Sequence, residues 1–301
     1  MTTVAATDRA ATRRRRIGLP AITGSAFVVP GIVWLALFFI VPLAFIFVVS
    51  LGTRNELNQI VLDNPSLANY EKAFNPVFLP TLFQSVFYAG TTTVLSLLIG
   101  LPVAYWISRY GGRHKALLLI LVMLPFWTSY LIRTYAWMII LRDQGVVNSV
   151  LQAVGLTSEP IILLNTDFSV ILGMTYGFLP FAILPLFVSI DRLDANLVAA
   201  ARDLYASGRS AFLHVTLPLI MPGIVAAALL TFIPAIGDFV TPDLLGGAQT
   251  TTVAKLIQDR FLDGRDWPYG AALGFVLMVI TLVGTLLALR TLRREVVGSS
   301  A

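Results

Sequence analysis

The sequence predicts an all-α integral membrane protein with six transmembrane helices. Three observations carry that prediction: 57% hydrophobic residues, only 12% charged residues and a mean hydropathy of +0.82. A water-soluble chain of 301 residues would carry about a quarter of its residues charged and hide its apolar side chains in one or two cores. Here the apolar residues fall instead in long charge-poor runs, for which lipid is the natural solvent. A separate soluble domain has no room. The chain has no cysteine, which excludes a disulfide framework and thiolate chemistry.

A helix crossing a hydrocarbon core about 30 Å thick needs about 20 apolar residues at about 1.5 Å rise each. Six stretches meet that length: Ala26 to Ser50, Gln84 to Ser108, Ala116 to Leu141, Phe168 to Ile190, Val215 to Val240 and Trp267 to Leu289. The third holds Arg133, which must snorkel to the interface or face the bundle interior. Pro30, Pro42, Pro102, Pro125, Pro180, Pro185, Pro222 and Pro234 interrupt the runs. In membrane bundles neighbouring helices and Ser or Thr side chains satisfy the backbone groups that proline frees, so bends rather than breaks are expected.

The first run follows Arg13 to Arg16 and superficially resembles a secretory signal. It is too long for one and lacks a small-x-small cleavage site, so it reads as an uncleaved first helix with the N-terminus in the cytoplasm. Threading six spans from that start places both termini, the Arg109 to Lys115 loop and the Asp191 to His214 loop on the cytoplasmic side. These segments hold 14 of the 21 Lys and Arg residues, and the opposite loops carry an excess of acids, as the positive-inside rule requires. The net charge of +5 is thereby a signal of topology rather than of nucleic-acid binding. The segments are a basic cytoplasmic arm (1–25), a first helix with its external loop (26–80), a main transmembrane domain (81–290) and a cytoplasmic tail (291–301).

No energy source or catalytic centre is encoded. A phosphate-binding GxxxxGK[ST] loop needs Gly before Lys, whereas Lys72, Lys115 and Lys255 follow Glu71, His114 and Ala254. His114 and His214 are far apart in separate loops, which rules out an HExxH metal site. Among the intramembrane acids Asp238 stands out, near the external end of the fifth span. An unpaired carboxylate there would cost about 2.5 kcal/mol or more. It must face a partner or water, either to pass a cation or to cap and pair locally.

Between spans four and five, Leu193, Leu197, Ala200 or Ala201 and Leu204 recur at helical spacing while Asp194, Arg202 and Asp203 stay polar. This pattern predicts a short amphipathic helix outside the membrane, stopped by Gly208. It could cover the bundle or dock on a cytoplasmic partner.

The segment Ala199-Ala200-Ala201-Arg202-Asp203-Leu204-Tyr205-Ala206-Ser207, followed by Val215-Thr216-Leu217-Pro218, resembles the EAA loop of ABC importer permeases, EAA-x3-G-x9-I-x-LP. The resemblance implies the type I ABC importer permease fold, with this loop as the coupling helix seated in an ATPase subunit. Ala200, Ala201, Leu217 and Pro218 match the motif. Ala199 replaces its Glu, Tyr205 its Gly and Val215 its Ile, leaving Asp194 or Asp203 to supply the missing charge.

Leu124-Pro125-Phe126-Trp127-Thr128-Ser129-Tyr130-Leu131-Ile132-Arg133-Thr134-Tyr135-Ala136-Trp137 and Gly237-Asp238-Phe239-Val240-Thr241-Pro242-Asp243-Leu244-Leu245-Gly246-Gly247 are similar to segments of the spermidine/putrescine-type permeases, as is Asp266-Trp267-Pro268-Tyr269-Gly270. That likeness implies two ATP-binding subunits, which hold the ATP and Mg, a second homologous permease and an extracytoplasmic solute-binding protein. This chain would hold no cofactor and catalyse no covalent change. A polyamine path needs carboxylates and aromatic faces, for which Asp238, Trp127, Tyr130, Tyr135 and Trp137 are candidates. Interface anchoring and helix packing are the ordinary uses of such rings. A permease for another organic solute and a stand-alone secondary transporter are the alternatives. Neither internal repeats nor several intramembrane charges support the latter.

Overall fold

The computed structural model describes residues 22–55, 59–74, 76, 78–203, 207–248 and 250–298. The basic arm up to residue 21 and Leu204 to Ala206, including Tyr205, lie outside the described residues. In chain order come α1 (Ile22–Ser50), a two-stranded antiparallel ribbon of β1 (Thr53–Arg54) and β2 (Ile60–Val61), α2 (Ala68–Ala73) and α3 (Phe78–Tyr110). Then follow α4 (Lys115–Met123), α5 (Tyr130–Leu141), α6 (Val146–Ala153), α7 (Asp167–Asp191), α8 (Ala195–Asp203) and α9 (Gly208–Ala211). The chain closes with α10 (Leu217–Ile236), α11 (Val240–Leu245), α12 (Val253–Leu262) and α13 (Trp267–Gly298).

Among the described residues, five unbroken helical stretches are long and apolar enough to cross a membrane: Val28–Ser50, Phe78–Tyr110, Asp167–Asp191, Gly208–Ile236 and Trp267–Leu287. The expected third span is the exception. It divides into Gly112–Trp127 and Tyr130–Ala153, bent by 83°. Pro125 has no N–H to give the preceding turn, and Leu124–Trp127 tightens into a 3-10 turn. Thr128 and Ser129 then take extended backbone. Thr128 Oγ1 donates to the Pro125 carbonyl at 2.8 Å, so a backbone acceptor exposed by the break is satisfied locally. Counted as one span, the bent pair gives six.

The fifth span also ends earlier than its hydropathy suggests, at Ile236 rather than Val240, before a turn at Gly237 and Asp238. At its other end, Phe212–Thr216 forms a π-turn in which the Leu217 N–H reaches the Phe212 carbonyl. This widened turn precedes Pro218, whose ring would otherwise crowd the last turn. The remaining prolines named above lie inside unbroken helices.

The packing of residues 47–298 centres on α3, α7 and α10, which touch one another most extensively. Small residues on α3 face larger ones on its neighbours, such as Ile183 and Leu186 of α7 against Gly100. The small residues of α3 include Ser85, Ala89, Thr92, Thr93, Ser96, Gly100 and Ala104, all buried. Lipid offers no hydrophobic gradient between helices, so association depends on close backbone approach, which such side chains permit. Gly223 of α10 shows how close: a Cβ there would lie 2.2 Å from Ser189 Cβ on α7.

Candidate functional site

Two groups of predicted residues occupy opposite ends of the bundle. At the end where α7 finishes, Asp191 Oδ1 accepts from Ser108 Oγ at 3.0 Å and from Lys115 Nζ at 2.6 Å. That contact ties α3, α4 and α7 together just before the loop. Asp194 Oδ1 then accepts from the Asn196 N–H at 2.9 Å, capping α8, whose first N–H groups have no partner within the helix. The carboxylate side chain is exposed but already in structural use.

Along α8, Leu197, Ala199, Ala200 and Asp203 are exposed while Val198 and Ala201 are partly covered. α8 rests on α9 and on the π-turn before α10. Gly208 does not stop α8. It opens α9, with Ser207 as the cap accepting from the Ser210 N–H at 3.2 Å. Glycine at the end of an amphipathic run reads equally well as an entry when a Ser precedes it. Leu217 and Pro218 begin α10 as its first turn. Beside the loop, Leu184, Val188, Leu193, Leu197, Leu219 and Ala226 help line a largely apolar groove of about 850 Å³.

At the opposite end, Asp238 sits in the break after α10 and is only 8% exposed. Its Oδ2 accepts from Tyr130 Oη and Thr241 Oγ1, both at 2.6 Å, and the two hydroxyl oxygens are themselves 2.6 Å apart. Its Oδ1 accepts from the backbone N–H groups of Val240 at 3.0 Å and Thr241 at 3.3 Å. The carboxylate thus caps α11 and pins the first residue of α5 across 108 positions of sequence. Gly173 and Gly177, one turn apart on α7, make room: a Cβ at Gly173 would strike Leu245 and Thr241, and one at Gly177 would press on the Tyr130 ring at 3.1 Å.

Of the aromatic candidates, Tyr130 and Trp137 belong to this end of the core. Trp137 packs edge-on against Tyr176 with ring centres 5.5 Å apart, and Tyr176 stacks on Phe126 at 5.5 Å. Trp127 and Tyr135 do not join them, being 75% and 47% exposed. The Arg133 guanidinium lies 4.5 Å over the Phe126 ring and 5.5 Å over the Tyr130 ring. Its Nε and Nη1 are buried without a hydrogen-bond partner among the described residues.

Phe126, Tyr176 and Thr241 were not singled out from sequence. Thr241 carried a signal, the Asp-x-x-Thr spacing of a helix cap. Tyr176 carried none, since only tertiary packing brings α7 to the break.

Residues 21–295 match the family described as binding-protein-dependent transport system inner membrane component. The chain is 42% identical over 247 residues to the spermidine/putrescine transport system permease protein PotB of Haemophilus influenzae, covering 82% of this chain and 86% of that protein. Against the PotB protein of Escherichia coli K12 the identity is 38% over 247 residues, covering 82% and 90%. In fold, the chain is similar to a chain of a bacterial ABC transporter that imports the acidic polysaccharide alginate. The TM-score is 0.69 at 21% identity, over 91% of this chain and 96% of that one. The chain therefore belongs to the family of inner-membrane components of binding-protein-dependent transport systems.

Proposed function

We propose that this chain is one of two homologous permease subunits of an ATP-driven importer for polyamines, and that it forms half of the solute path. The observation that carries the reading is the 42% identity to a spermidine/putrescine permease over 82% of the chain. The site chemistry fits it. A linear polyamine presents ammonium groups along an apolar stem, and this end of the bundle offers a buried carboxylate, Asp238, bonded to the Tyr130 hydroxyl, and the Trp137 ring packed on Tyr176. Trp127 and Tyr135, exposed on this subunit, face the second permease or the lipid in this reading.

The loop end supplies the coupling. α8 presents Leu197, Ala199, Ala200 and Asp203 outward, a small surface of three apolar residues and one carboxylate suited to a groove on an ATP-binding subunit. Asp194, Ala201, Tyr205, Gly208, Leu217 and Pro218 complete the loop. The two ATPase subunits bind ATP and Mg, and their closure moves α8, rocking the helices between states open to either side. Both termini and α8 lie in the cytoplasm, where the arginine-rich segments favour them, and the solute-binding protein delivers from the Asp238 end.

The test is uptake of labelled putrescine and spermidine by proteoliposomes holding the full complex, with and without ATP, for wild type and Asp238→Asn. ATP-dependent uptake that collapses in an assembled Asp238→Asn complex supports a polyamine path through this carboxylate. Uptake of neither amine by an intact, ATP-hydrolysing wild-type complex rejects polyamines as the solute.

A further inference from the structure

The least expected group in the bundle is Arg133. A guanidinium carries five N–H donors and in a membrane protein normally meets a carboxylate or carbonyl. Here Nε and Nη1 are buried and unbonded among the described residues, and the charge rests on two π-faces, Phe126 at 4.5 Å and Tyr130 at 5.5 Å. Both rings have further partners. Phe126 is stacked on Tyr176 at 5.5 Å, Tyr176 is held by Trp137, and Tyr130 is anchored through its hydroxyl to Asp238 at 2.6 Å. Asp238 itself, spent on two hydroxyls and two backbone N–H groups, makes no ion pair with Arg133.

Such an arrangement is a preformed cation site with its own side chain in it. Rigid rings and a nearby carboxylate favour any cation. The resident one holds two of its nitrogens there without a hydrogen bond among the described residues, so cation–π contact stands where those bonds would be. Arg133 lies on α5, the segment after the 83° bend, and its long side chain can leave the rings by a change of rotamer.

We propose that the Phe126–Tyr130 aromatic platform is a cation site of the solute path, occupied in the resting state by Arg133 and vacated when an ammonium group of the solute displaces the guanidinium. The proposal rests on the polyamine reading for the identity of the displacing cation. It makes Arg133 an internal competitor, which lowers the affinity of the path for its solute and keeps the site from standing open to small cations.

The experiment is equilibrium binding to the purified permease–ATPase complex without its binding protein. Labelled spermidine and labelled methylguanidinium are the probes, and wild type, Arg133→Gln, Arg133→Lys and Arg133→Gln/Phe126→Leu are the variants. Arg133→Gln is expected to bind spermidine about 2- to 30-fold more tightly than wild type, the span that one cation–π contact of ordinary strength represents. It should also acquire saturable methylguanidinium binding that wild type lacks. Arg133→Lys, which restores a resident cation, should resemble wild type, and Phe126→Leu should erase the gain.

Where wild type transports spermidine, spermidine binding in Arg133→Gln that is unchanged or weaker, in a complex that still assembles and hydrolyses ATP, overturns the proposal. So does absence of methylguanidinium binding, and if wild type still transports spermidine the polyamine reading stands without this site. Methylguanidinium binding in Arg133→Gln, together with a wild type that neither binds nor transports either amine, supports the resident-cation site and overturns only the polyamine reading.

Discussion

Tyr130→Phe isolates the contact that joins the two broken spans. The substitution keeps the ring against Gly177 and beneath Arg133, and removes only the hydroxyl that donates to Asp238 Oδ2 at 2.6 Å. A hydrogen bond to a charged group contributes about 1.5–3 kcal/mol. Asp238 is 8% exposed, so water cannot readily replace the lost donor, although Thr241 and two backbone N–H groups still hold the carboxylate. Each kcal/mol moves the midpoint of a large domain by roughly 2–4 °C, which gives a fall of about 3–12 °C. Unfolding of a detergent-solubilised complex is irreversible, so the comparison is made at one scan rate by loss of the monodisperse peak. Tyr135→Phe on the same helix is the control, because Tyr135 is 47% exposed, and its midpoint should move by less than about 1 °C, as for an ordinary surface change. The reasoning is refuted if Tyr130→Phe behaves like Tyr135→Phe, or if its effect simply adds to that of Asp238→Asn, since two residues sharing one bond should be coupled.

Gly223→Ala should lower the midpoint of the complex by the equivalent of about 1–3 kcal/mol, because the new Cβ would meet Ser189 Cβ at 2.2 Å and Oγ at 2.5 Å. Gly274→Ala, with no atom within 4 Å of the added carbon, should be neutral or mildly stabilising in the same assay, and equal losses at both positions would sink the close-approach argument. At the loop, Asp194→Asn should retain solute-stimulated ATP hydrolysis, since Asn caps a helix as well as Asp does, whereas Asp194→Ala should destabilise α8 by about 0.5–2 kcal/mol and reduce stimulation. Loss of stimulation in both variants would mean that the charge itself, and not the cap seen at Asn196, touches the ATPase.

The parts legible in the sequence are those that depend on local chemistry. Hydropathy runs place the apolar helices because chain length against bilayer thickness is a one-dimensional constraint. The spacing of Leu193, Leu197 and Ala200 places α8 because amphipathic periodicity is local as well. Hydropathy is blind to where a backbone leaves the helix. Pro125 looks like the other prolines in apolar runs, yet it lies inside a break, with Thr128 at the spacing that satisfies its carbonyl, and Pro234 shortly precedes the second break, while Pro30, Pro42, Pro102, Pro180, Pro185 and Pro222 sit in continuous helix. Gly208 misled for a related reason: a glycine after an amphipathic run can end one helix or begin the next, and the cap at Ser207 decides. Trp127, Tyr130, Tyr135 and Trp137 share an aromatic character that the sequence cannot sort by direction: Trp127 precedes the bend, and Tyr135, on the same helix as Tyr130 and Trp137, falls on an exposed face.

The two breaks also explain each other. Backbone that leaves the helix at membrane depth persists only where it is buried in protein or lines a cavity, since lipid cannot pair the freed groups. At the first break Thr128 closes one carbonyl. At the second, Asp238 closes the N–H groups of Val240 and Thr241. The residues that begin α5 and follow α10 are then joined by the Tyr130–Asp238 bond, so neither break can straighten without disrupting the other's partner. Two discontinuous helices are tied at one carboxylate, and Arg133, two of whose nitrogens lack a hydrogen bond among the described residues, rests on the rings beside that tie. A path for a cationic solute needs a site that can be held in one state and released in another. Here the capacity follows from the breaks themselves, because the same bond that makes the irregular backbone tolerable fixes the Tyr130 face on which the cation rests.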